Sequence, residues 1–173
     1  DAVYDGSGDY VSGSILEYCT VEYGGGMAGS SSYGNGVIYL ADAHPLINFC
    51  TIRNNDDGGL YAESLDATLK IFNSTFDNNG NQDGWGGGVL VKQGGTVIID
   101  SCVFTDNEGS RGGGLDLKNA TSEITNSVIR GNEASQTNYG GGGILIDGGT
   151  TSITNNTITD NPARGYNGGG GIL

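Results

Sequence analysis

The stretch FDNNGNQDGWGGGVLV, Phe76 to Val91, ends a β-branched and aromatic segment on two asparagines, passes through polar residues and a tryptophan, and enters an apolar strand through three glycines. Its two halves recur along the chain. INFCTIRNN from Ile47, IFNSTFDNN from Ile71, IDSCVFTDN from Ile99, ITNSVIRGN from Ile124 and ITNNTITDN from Ile153 share one pattern, and LEYCTVEYG from Leu16 is a degenerate copy. The anchors are spaced by 31, 24, 28, 25 and 29 residues. Self-similarity at such a period marks a repeat architecture. A second, glycine-led apolar segment follows each block and is read as beginning at Val37, Leu60, Val89, Leu115, Ile144 and Ile172.

From the glycine-led segment to the next anchor the count is 10, 11, 10, 9 and 9 residues. From the Asn-type position to the following glycine-led segment it runs 13, 5, 10, 8, 12 and 11. One side of every repeat is therefore fixed and the other accepts insertions, and function concentrates on edges of that kind. In the coil quoted above, residues 80–85, ending in Trp85, are the insertion.

Alternating apolar residues and β-branched crowding make these segments strands. They are too short to pair stably in isolation, so each must stack on its neighbours. The chain is expected to be all-β, a single-stranded parallel β-helix of about six coils forming one domain over 1–173, a segment of a longer chain or an assembly unit. Leu16, Ile47, Ile71, Ile99, Ile124 and Ile153 form one inward column, and Val21, Ile52, Phe76, Phe104, Ile129 and Ile158 a second. At roughly 1.5 to 3 kcal/mol per buried side chain, such columns supply the drive for a continuous core. Asn55, Asn79, Asn107, Asn132 and Asn161 are expected to form a ladder at one corner, with a shorter one at Asn73, Asn126 and Asn155. The glycine runs are read as positive-φ entries into each strand.

The pairing of FDNN and FTDN with GGGV, GGGL and GGGI resembles the repeat of the polymorphic outer-membrane proteins and, more broadly, the parallel β-helices of the pectate-lyase-like superfamily. The resemblance covers residues 16–173. It implies a right-handed solenoid and an extracellular or cell-surface, adhesive role. It also implies an alternative, a polysaccharide lyase or glycoside hydrolase working in a groove, with Ca²⁺ held by acidic side chains and Arg130 or Lys92 as base.

Twenty acidic against seven basic residues give a net charge of −13, which repels nucleic acid and anionic membranes. No apolar run suffices to span a membrane. Self-association, a surface protein or a glycan are the partners expected. Tyr33, Trp85, Tyr139 and Tyr166 precede glycine runs on the insert-bearing edge and suit stacking on sugar rings or a protein. Ile38, Tyr61, Leu90, Leu145 and Leu173 are read as the outward residues of the glycine-led strands, an apolar assembly face interrupted by Asp116. The chain stops within a strand, which suggests head-to-tail stacking into a filament.

For catalysis the candidates are Asp77, Asp106 and Asp160, the last two sharing a column about 9.6 Å apart, near the span of an inverting glycosidase pair. No metal site is expected from His44, the only histidine. Cys19, Cys50 and Cys102 share a column with Ser74, Ser127 and Asn156 and are read as buried thiols, Cys19 and Cys50 being stacked neighbours. Of the sequons at Asn73, Asn119 and Asn155, Asn119 is the one placed for glycosylation, the other two being assigned to the inner ladder.

Overall fold

The computed structural model describes residues 1–25, 36–80, 85–135 and 140–173. Among them no helix forms, and parallel strands wind into a β-solenoid. One sheet stacks Thr20–Glu22, Thr51–Asn55, Thr75–Asn79, Val103–Thr105, Val128–Arg130 and Thr157–Thr159, so its six strands delimit five full turns. The facing sheet carries the anchor strands and the glycine-led strands. In the last two coils these merge into single 11-residue strands, Leu115–Thr125 and Ile144–Thr154.

Both expected inward columns are present in register. Ile47, Ile71, Ile99 and Ile124 are fully buried, as are Ile52, Phe76, Phe104 and Ile129. The rings of Phe76 and Phe104 stack at 5.1 Å. The asparagine ladder is also present. Asn55, Asn79, Asn107 and Asn132 each donate from Nδ2 to the Oδ1 of the next member, at 2.7, 2.9, 2.8 and 3.0 Å, ending on Asn161. Each amide also bonds the carbonyl of a preceding coil, as Asn107 does with Phe76 at 2.9 Å.

The second ladder is not an inner one. Asn73, Asn126 and Asn155 have φ of 48°, 51° and 57° and are exposed. They belong to a column of left-handed corner residues with Tyr18, Phe49 and Ser101. Asn and Asp suit that conformation because their short side chains bond locally. All three sequon asparagines, including Asn119 (φ 51°), therefore face solvent.

The glycine runs work differently from expectation. Gly86 to Gly88 and Gly112 to Gly114 do not have positive φ. They are glycines because the backbones of adjacent coils meet there: a Cβ on Gly113 would lie 2.4 Å from the Gly142 carbonyl oxygen. Gly86, Gly112, Gly141 and Gly169 bridge one to the next along the edge. The same run folds over the strand it introduces, so that a Cβ on Gly86 would meet the Leu90 side chain at 2.9 Å.

Residues 1–13 form a hairpin that the repeat pattern does not announce, Ala2–Tyr4 antiparallel to Tyr10–Gly13. It lies on the outer face of the Thr68–Phe72 strand. There the Gly8 carbonyl accepts Lys70 Nζ at 2.6 Å, and the Tyr4 ring centroid sits 3.7 Å from the same ammonium. Burial, with a smaller contribution from Tyr10, pushes the Tyr4 phenol up to about 12.

Candidate functional site

The glycine-led strands place one residue of each coil on the outer face: Tyr39, Tyr61, Leu90, Asp116 and Leu145, with Leu173 following in the last coil. Ile38 is not among them. It pairs with Leu60 and packs inward, because in the NGVI entry Val37 takes the place of the last glycine. Nor is the face open. Tyr61, Leu90, Asp116 and Leu145 are buried by the chain's own glycine-led edge. The middle of the row is thus an outer layer of core, while Tyr39 and Leu173 at its two ends are exposed.

Asp116 is the anomaly in that layer. It is 1% exposed, and neither carboxylate oxygen accepts a hydrogen bond. The Arg111 guanidinium stands beside it, with Nε 3.8 Å from Oδ2. Burial pushes the carboxyl up to about 7, against the opposing pull of Arg111 and Lys118 and with a push from Asp147. Asp147 behaves oppositely: the Arg111 Nη2 bond at 2.7 Å holds it below the usual carboxylate range. One guanidinium thus touches two carboxyls whose proton affinities are driven apart.

Over this pair sits Trp85. Gly86 bridges Gly112, so Trp85 and Arg111 hold the same position in successive coils, and the Arg111 N–H donates to the Trp85 carbonyl at 3.1 Å. Lys92 Nζ, Arg111 Cζ and Lys118 Nζ lie 5.4, 5.7 and 5.8 Å from the indole. Three of the seven cations of a strongly acidic chain converge on one ring, within the range of cation–π attraction. Lys92 and Lys118 are direct register partners, flanked by Glu63 and Asp147. Glu63 is engaged by the hydroxyls of Tyr39 and Tyr61, which lower its proton affinity.

Among the described residues, the other expected site residues do not join this cluster. Tyr33 and Tyr139 lie outside the described residues. Tyr166 is 95% exposed, two residues before Gly168, the position equivalent to Trp85. Asp106 and Asp160 do share a column, with Gly131 between them, but both are exposed corner residues with φ of 52° and 54°. Asp77 belongs to the neighbouring column and accepts from Thr105 Oγ1 at 2.5 Å. Asp106 and Asp160 are accounted for by the turns they make, and Asp77 by its place within the strand Thr75–Asn79, in register with Arg53 and Thr105.

Sequence reasoning passed over Arg111, whose signal was its place beside a glycine run, and Asp116, whose signal was being the polar exception in an apolar column. It also passed over a stacked pair of exposed rings, Tyr18 and Phe49, 5.1 Å apart. Asp42, His44 and Asp66 hold ligand atoms within 4.8 Å of one another. His44 is buried, however, and its Nε2 accepts the Ala67 N–H at 3.1 Å while Nδ1 faces Asp1 at 3.3 Å.

A family model described as a right-handed β-helix region matches residues 66–172. The chain belongs to the right-handed β-helix family. That membership supplies the hand of the coil. Searches of curated proteins and of solved structures give no match, so the β-helix family defines the architecture and the site must be argued from its own chemistry.

Proposed function

We propose that this β-helix is a structural and adhesive element of an extracellular or cell-surface protein, with the edge around Trp85 as its recognition site. The observation that carries this reading is the gathering of Lys92, Arg111 and Lys118 about one indole on the edge that accepts insertions. A ring face with charged donors around it suits sugars and protein side chains alike. The burial of Tyr61, Leu90 and Leu145 within the chain itself supports recognition over side-by-side assembly through that face.

Binding of the protein to immobilised neutral and acidic glycans and to intact cell surfaces tests the proposal. Trp85→Ala is expected to weaken the strongest interaction at least about fivefold, by loss of an aromatic contact worth ~1 kcal/mol or more. Unchanged binding by that variant would remove Trp85 from the reading. A second reading, glycan cleavage, is favoured by Asp116 and Asp147 with their opposed proton affinities, the arrangement by which a fold separates acid from base. New reducing ends in the same assays, lost in Asp147→Asn, would establish it. The burial of Asp116 ranks it second.

A further inference from the structure

Cys19 and Cys50 occupy equivalent positions in the first two coils. The residues after them, Thr20 and Thr51, pair in register, and the Thr51 N–H donates to the Cys19 carbonyl at 2.9 Å. Parallel neighbours ~4.8 Å apart bring two α-carbons within the span a disulfide requires. Cys19 Sγ donates to the Glu17 carbonyl at 3.2 Å, and Cys50 Sγ to those of Leu16 and Asn48 at 3.3 Å. Cys102 has no such neighbour, since Ser74 and Ser127 occupy the coils on either side.

The column they share has a hydrogen-bonding logic that singles out this pair. The Cys50 N–H donates to Ser74 Oγ at 3.1 Å, Cys102 N–H to Ser127 Oγ at 3.0 Å and Ser127 N–H to Asn156 Oδ1 at 2.8 Å. In each case an oxygen accepts from the coil before it. Only between Cys19 and Cys50 does that role fall to sulfur facing another thiol, and sulfur is a weak acceptor and donor. A covalent bond between the sulfurs therefore gives up only the weak bonds the two thiols make to the carbonyls of Glu17, Leu16 and Asn48. Cys50 is buried and Cys19 half-buried, so a small oxidant meets Cys19 first.

We propose that Cys19 and Cys50 form a disulfide joining the first two coils when the protein meets an oxidising thiol–disulfide couple. The Cys19 thiolate attacks one sulfur of a small disulfide such as oxidised glutathione and releases one equivalent of glutathione. Cys50, giving up its proton, displaces the second from the mixed disulfide. Two protein thiols are oxidised, one small disulfide is reduced to two thiols, and the two protons leave with them. The bond closes the chain between residues 19 and 50 and so constrains the unfolded state.

The whole chain, reduced and then equilibrated with glutathione buffers of increasing oxidation, provides the test. After denaturation under alkylating conditions the free thiols are expected to fall from three to one. The survivor should be Cys102. The first tryptic site is Arg53, so peptide 1–53 should become lighter by two hydrogens. The oxidised protein should melt roughly 5 °C or more above the reduced form, a gain absent from Cys19→Ser. Persistence of three thiols, a stable glutathione adduct on Cys19 alone, or consumption of Cys102 would each overturn the assignment.

Discussion

Asn107 donates to Phe76 and Asn132 and accepts from both the backbone and the side chain of Asn79. Asn107→Ala strands several buried groups at once. It should cost roughly 3 kcal/mol or more in denaturant unfolding, whereas Asn119→Ala, at an exposed corner, should cost under about 1 kcal/mol. Asp116 makes the opposite contribution. Burial pushes its folded carboxyl up to about 7, well above the usual carboxylate range, so the folded state holds the proton more tightly than the unfolded chain. The stability this confers is fully present below about pH 4, is lost as pH rises toward 7, and stays lost above. Measured against Asp116→Asn across pH 3 to 9, the wild type should decline relative to the variant through that window, by roughly 1.4 kcal/mol per pH unit at most, and then level off. A flat difference would mean that the carboxyl has found donors in solution.

Among the elements, the glycine edge is where covalent geometry is least forgiving. Gly113→Ala would thrust a Cβ to within 2.4 Å of one backbone oxygen and 2.6 Å of the Glu133 nitrogen. Since neither can retreat without breaking the stack, the variant should lose more than about 3 kcal/mol or fail to fold. Gly6→Ala, with nothing within 4 Å of the added carbon, should stay within about 0.5 kcal/mol of the parent. Circular dichroism melts of the two variants check this directly. The strands, the inward columns and the ladder were legible because each leaves a periodic trace of buried side-chain types. The meaning of the glycines was not, since close approach of two backbones and positive φ select the same residue. Ile38 was placed on the wrong face for a related reason: a coil whose entry has one glycine gives nothing from which to count register, and a slip of one residue turns every side chain over.

At the scale of the whole molecule, the repeats could be read from the sequence and the hairpin over Lys70 could not, because its partners come from a different coil and no periodicity links them. The same holds for the cluster at Trp85. Lys92, Arg111, Lys118 and Asp147 are brought together by stacking across three coils, and the insertions vary so much in length that column positions along that edge cannot be counted. Those cations have a consequence for how the molecule meets its surroundings. A rod bearing twenty acidic groups, with three of its seven positive charges collected at one place on one edge, is electrically lopsided. An anionic surface repels that edge least, even with Asp147 offsetting part of its charge, over distances set by a screening length of about 8 Å in physiological salt. Contact with such a surface would be made broadside, the coil axis lying flat and the remaining acidic flanks turned toward solvent.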